Sequence, residues 1–170
     1  MSTKTVLIVC MGNIHRSVIA ELCIQKELAA KGRRDIRVIS RGIQGTGDNP
    51  PPKALNLRDY PAEYNSSKPY LDQIGIEIPH DKRSAPVDIQ AVQEADKILA
   101  SDRGILDKLI ERFPKHADKM KLLSEISRAS QDVNDPAGKP QEVGQVVLLI
   151  HHTVKQGIDT LIDWLDNSKH

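Results

Sequence analysis

Apolar and polar positions along the chain fall into blocks whose period alternates between strand-like and helix-like. Val6 to Val9 is an unbroken apolar run bounded by polar residues, the signature of a strand buried on both faces of a parallel sheet. After a short polar segment, Ser17 to Lys31 is rich in Ala, Leu, Glu, Lys and Gln, without Gly or Pro, and Gly32 marks a helix stop. Ile36 to Ser40, Lys97 to Ser101 and Lys119 to Leu123 predict three further strands. Helical segments are predicted near Val87 to Glu94 and from Ile105 to Phe113, the latter stopping at Pro114. A long amphipathic helix follows over Gln141 to Trp164, with Val143, Val146, Val147, Ile150, Val154, Ile158, Leu161 and Leu165 along one face.

Strands alternating with helices predict an α/β fold of three layers, a four-stranded parallel sheet with helices on both faces. Such sheets bind ligands at the carboxyl ends of their strands, and Cys10 follows the first strand directly. Gly42 to Pro69 is dense in Gly, Pro, Asn and Ser and reads as a long loop with at most one short helical turn. With 170 residues and no repeat or linker, the chain is expected to form one domain over 1–170.

Composition narrows the function classes. The 24 Lys and Arg against 23 Asp and Glu leave a net charge of +1, so no global field gathers nucleic acid or a membrane surface. No secretory signal is legible and no apolar stretch reaches the ~18 residues of a membrane span, which predicts a cytoplasmic protein. The two cysteines, Cys10 and Cys23, make no disulfide framework or zinc pattern, and the adjacent His151 and His152 have no metal-ligand spacing. No metal or cofactor is expected.

The chemistry concentrates in Cys10-Met11-Gly12-Asn13-Ile14-His15-Arg16-Ser17, between the first strand and the first helix. Successive amides running into a helix N-terminus make a nest for a tetrahedral oxyanion. Gly12 and Asn13 suit it because both tolerate a left-handed backbone. Arg16 offers a bidentate grip on phosphate oxygens, and an electropositive cradle favours the thiolate, the nucleophilic form of Cys10. Ser17 is placed to hydrogen-bond that sulfur. A lone cysteine in an apolar run is otherwise most often an inert buried residue, which is the reading preferred for Cys23. The ATP-binding pattern G-x-x-x-x-G-K-[ST] is absent.

The segment resembles the phosphate-binding signature V-C-x-G-N-I-C-R-S of the low-molecular-weight protein tyrosine phosphatases, in the same place after the first strand. Asp135-Pro136 matches that family's downstream Asp-Pro pair, Gly75 to Arg83 its G-I-x-x-x-H-x-x-R segment, and Ser40-Arg41-Gly42 and Ser101-Asp102-Arg103 its short stretches after the second and third strands. The resemblance implies a flavodoxin-like topology and a phosphomonoester hydrolase working through a cysteinyl phosphate, on a phosphorylated protein or small aryl phosphate. It makes Cys10 the nucleophile, Arg16 the clamp and Asp135 the general acid and base, with Asp132 as the alternative. Met11, Gly12, Asn13, Ile14, His15 and Ser17 would bind substrate, and Ser40 and His80 would support Asn13.

Four departures stand out. His15 replaces the signature's second cysteine, which removes a neighbouring thiol able to protect the nucleophile. Aromatic residues are missing after Asp135-Pro136 and from Gly42 to Asn49, so phosphotyrosine loses its usual walls. Tyr60, Tyr64 and Tyr70 lie in the long segment, where they either fold over the site or pack the loop down. Val18 replaces a common Pro of the first helical turn, and Ile14 is the residue of tyrosine-directed members rather than the Thr of arginine-phosphate phosphatases. Two other functions use the same loop: arsenate reduction, here needing an external thiol because no cysteine follows Cys23, and a binding module that no longer turns over.

Overall fold

The apolar run at the start of the chain is the centre of the molecule. In a computed structural model describing residues 3–128, 132–136, 139 and 142–168, strand β1 (Lys4–Cys10) lies between β2 (Ile36–Gly42) and β3 (Lys97–Ala100), with β4 (Met120–Leu122) beyond β3. All pairings are parallel, in the order β2-β1-β3-β4. Side chains alternate across a strand, so β1 serves two cores. Val6 and Ile8 join α1 (Arg16–Ala30), α2 (Pro61–Ile74) and α5 (Val143–Asp166) on one face. Leu7 and Val9 join α3 (Ile89–Glu94) and α4 (Arg103–Arg112) on the other.

The predicted strands and helices are present with shifted ends. Helix α1 closes one residue before Lys31, and Gly32 (φ 68°) takes the left-handed turn that follows it. Asp88 and Asp102 cap α3 and α4, each accepting a backbone N–H three residues on, at 2.8 and 2.9 Å. The stripe on α5 faces the core, although Val146 is only half-buried. Gln141, the expected first residue of α5, lies outside the described residues.

The segment from Gly42 to Pro69 is the main correction. It contains a 3-10 turn at Leu57–Asp59 and most of α2, which runs on to Ile74 with Pro69 inside it. Pro61 is well placed at the first helical position. Weak intrinsic propensity is overridden by packing: Ser67, Leu71 and Ile74 are buried, and Tyr64 and Tyr70 lie against the same core. Gly75 (φ 72°) ends the helix in the left-handed region. Among the described residues no helix is long and apolar enough to cross a membrane.

Candidate active site

The parallel register aligns Cys10 with Gly42 and Val9 with Ala100, so the carboxyl ends of β1, β2 and β3 converge on the loop between β1 and α1. The loop's carbonyls are held by its surroundings. Ile43 N–H donates to Cys10 O at 3.1 Å, Gln44 N–H to Met11 O at 2.8 Å, and Ser84 Oγ to Gly12 O at 2.7 Å. Gly42 makes this approach possible, since a Cβ there would lie 2.9 Å from the backbone of both Gly12 and Asn13. Asn13 alone among the loop's non-glycine residues is left-handed, at φ 55°, and its N–H donates to Cys10 Sγ at 3.2 Å.

The directions of the hydrogen bonds around Asn13 follow from one another. Asn13 Oδ1 accepts from the Ala85 N–H at 3.0 Å, so its Nδ2 must donate, to Ser17 Oγ at 2.9 Å and Ser40 Oγ at 2.8 Å. Ser40 passes its own proton to the buried Glu21 Oε1 at 2.8 Å, and Lys82 Nζ pairs with that oxygen at 3.0 Å. Ser17 Oγ, which accepts from Asn13, lies 3.1 Å from Cys10 Sγ. A thiolate has no proton to give, so in that form the sulfur accepts from both Ser17 Oγ–H and the Asn13 N–H.

Arg16 is buried at the head of α1, with Nη1 bonded to Asp102 Oδ2 at 2.6 Å and Val133 O at 2.8 Å. Its Nη2 lies 3.4 Å from Asp135 Oδ2. Asp102 is itself fixed as the cap of α4, so Arg16 Nη1 is tethered, and Arg16 lines the cleft that also holds Cys10. Asp132, the other acid considered, accepts from the Arg103 N–H at 2.9 Å instead and does not line the cleft. The cleft measures about 420 Å³, with Cys10, Gly12 and Arg16 at its base, Ile14, Leu57, Tyr60 and Pro136 among its walls, and Asp135 and Glu63 also lining it. A second cleft of about 430 Å³ beside Tyr64 has its charges paired with one another, Lys68 with Asp72 and Arg58 with Glu77, and holds no nucleophile.

His15 is half-buried and lines the cleft. Ser67 Oγ donates to Glu63 O, so the imidazole must bring its proton on Nε2, 3.1 Å from Ser67 Oγ, leaving Nδ1 buried without a partner. Burial, and then the charge of Arg16, lower its pKa from 6.5 to about 3. Met11 and Ile14 also line the cleft, both half-buried. His80 departs from expectation. It is exposed, and its carbonyl rather than its ring is engaged, by Asn56 Nδ2 at 3.2 Å. Glu21 and Lys82 occupy the place by Ser40 that His80 was expected to share. Cys23 is buried in α1, its thiol pushed up to about 12 by burial. Among the described residues no His, Cys, Asp and Glu group could hold a metal ion.

Residues 5–167 match the family described as low molecular weight phosphotyrosine protein phosphatase. The chain belongs to this family. It is a phosphatase, and Cys10 stands where the family's nucleophile is expected. A protein-arginine-phosphatase of Geobacillus stearothermophilus is 28% identical over 165 residues, 94% of this chain and 92% of the relative. The low-molecular-weight protein-tyrosine-phosphatase PtpA of Staphylococcus epidermidis is 29% identical over 161 residues, again 94% and 92%. The crystal structure of a low-molecular-weight phosphotyrosine phosphatase from Vibrio cholerae O395 superposes with a TM-score of 0.75 at 25% identity, covering 98% of this chain and 99% of the other. This phosphatase therefore keeps the fold end to end.

Proposed function

We propose that this phosphatase acts on phosphotyrosine in proteins, or on a comparable aryl phosphate, through a cysteinyl phosphate. The observation that carries the reading is the placement of the Asn13 N–H and the Ser17 hydroxyl at 3.2 and 3.1 Å from Cys10 Sγ, beside the buried Arg16, where both can donate to a thiolate. Donors so placed favour sulfur as an anion and as a leaving group. In the first step Cys10 Sγ attacks phosphorus, with Arg16 and the loop amides of Met11 to Ser17 holding the phosphoryl oxygens. The phosphorus–oxygen bond breaks, and Asp135 delivers its proton to the departing oxygen. In the second step water attacks phosphorus, the phosphorus–sulfur bond breaks, and Asp135 takes the proton of that water. Asp135's position in the cleft, 3.4 Å from Arg16, supports this role over Asp132.

Relatives are named for both phosphotyrosine and phosphoarginine. The apolar and aromatic lining that Ile14, Tyr60 and Pro136 contribute favours an uncharged ring over a guanidinium. Arsenate reduction is disfavoured because Cys23, the one other thiol, is buried. A nucleophile that must stay reduced fits the cytoplasm, and two cores sharing one sheet fit a single domain over 1–170. The test compares kcat/KM for phosphotyrosine and phosphoarginine peptides, with vanadate as inhibitor. Higher turnover of phosphotyrosine, abolished in Cys10→Ser, is expected; preference for phosphoarginine would overturn the substrate assignment.

A further inference from the structure

We infer that Tyr60, presented by the segment before α2, is the specificity-determining wall of the cleft, replacing rings that the two neighbouring loops lack. The inference rests on the phosphatase reading above. Gln44 and Pro136 line the cleft from the loop after β2 and from the Asp-Pro loop, and neither is aromatic. Among the lining residues Tyr60 is the one ring of the Phe, Tyr or Trp type. It lines the same cleft as Cys10 and Arg16, where a ring carried by a phosphate seated on the loop must lie.

The segment that presents Tyr60 is tied down along its length. Its hydroxyl accepts from the Ala54 N–H and donates to the Ala54 carbonyl, both at 3.0 Å, so the phenol is fully paired and its ring is fixed in place. Pro50, Pro51 and Pro52 bring no N–H groups and little backbone freedom, and line the cleft as well. The strap is anchored at both ends, where Asn49 O accepts from Gly45 N–H at 2.9 Å and Leu55 O from Ser84 N–H at 2.8 Å. Asn56 Nδ2 secures the turn before Tyr60 through the carbonyls of Pro79, His80 and Lys82 at 2.9, 3.2 and 2.9 Å. A wall held before substrate arrives binds a ring without first losing its own freedom. Tyr64 and Tyr70 do other work: Tyr64 lies under Arg58 at 5.1 Å, and Tyr70 packs against Gly144 on α5.

The test uses two non-hydrolysable probes, benzylphosphonate and methylphosphonate, as competitive inhibitors of aryl phosphate hydrolysis by the full chain. Tyr60→Leu is expected to weaken benzylphosphonate about tenfold and methylphosphonate by about twofold or less, the size of a lost ring–ring contact. Tyr60→Phe keeps the ring and removes the ties to Ala54, so it should weaken benzylphosphonate less while speeding hydrogen exchange at the Ala54 amide. If Tyr60→Leu does not fold, the Tyr60→Phe pair of readouts decides the matter. Equal loss of both probes, or no loss with the thermal midpoint retained, overturns the inference while leaving the phosphatase reading intact. A wild-type protein that hydrolyses no aryl phosphate and binds neither probe overturns both.

Discussion

Asn13 carries more of the site than any other single side chain. Its left-handed backbone turns its own N–H to the sulfur, and its amide accepts from Ala85 and donates to both Ser17 and Ser40. Asn13→Gly should keep the turn yet lose the network, lowering kcat about 10²-fold through misplacement of Ser17 and Cys10, whereas Asn13→Ala should also lose about 1–2 kcal/mol of stability to backbone strain. Steady-state kinetics beside urea denaturation separate the two. Lys82→Met leaves the buried Glu21 carboxylate without its cation and should destabilise the fold by about 2 kcal/mol. That is below the full cost for a deeply buried pair, because Lys82 keeps contact with water. His15 gives a pH dependence whose sign is set by burial. Its folded pKa, about 3, lies below the ordinary 6.5, so between these values the unfolded chain binds the extra proton. Stability is complete above about pH 6.5 and falls as pH drops through that window. A His15→Gln variant should show a smaller loss of Tm from neutral pH to about pH 4.

Elements were legible in the sequence wherever the periodicity was local. The run Val6 to Val9, the Ala- and Leu-rich α1 and the apolar stripe of α5 announce themselves, because burial of one strand or one helix face writes directly into residue order. Helix α2 did not. Pro61, Pro69 and the Asn65-Ser66-Ser67 stretch read as loop, and the helix owes its existence to packing of Leu71, Ile74, Tyr64 and Tyr70 on a core that the sequence alone does not place. Gly75, whose left-handed turn ends α2, was the available signal. Close packing of α5 makes a sharper prediction. A Cβ at Gly157 would lie 2.3 Å from Ile126 Cγ1 and 2.5 Å from Ile126 O. Because backbone cannot swing aside as a flexible side chain can, Gly157→Ala should cost about 1–3 kcal/mol in urea denaturation despite alanine's better helix propensity.

For the whole molecule, the order β2-β1-β3-β4 brings residues far apart in sequence to one end of one sheet. Cys10 through Ser17 could be read in advance because they are contiguous. Glu21 with Lys82 and Asp102 as the anchor of Arg16 could not, since each depends on which strands and helices become neighbours, and for Tyr60 the sequence left open whether it folds over the site or packs the loop down. His80 was misplaced for the same reason: spacing along the chain said nothing about which residue of its segment would face Glu21. The fold also divides the two thiols. Both are buried, but Cys10 lines the cleft and Cys23 does not, so brief alkylation of the native protein should label Cys10, blocked by vanadate, while Cys23 reacts only after denaturation. The central claim is that phosphorus is transferred to Cys10 with Asp135 serving the leaving group. Asp135→Ala should lower kcat by about 10²-fold or more for poor leaving groups and far less for good ones. The most direct measurement is intact and peptide mass analysis after rapid acid quench of the protein turning over an aryl phosphate with a good leaving group. The prediction is the added mass of one phosphoryl group on the peptide containing Cys10, absent in Cys10→Ser; hydrolysis that continues in Cys10→Ser without such an adduct would contradict it.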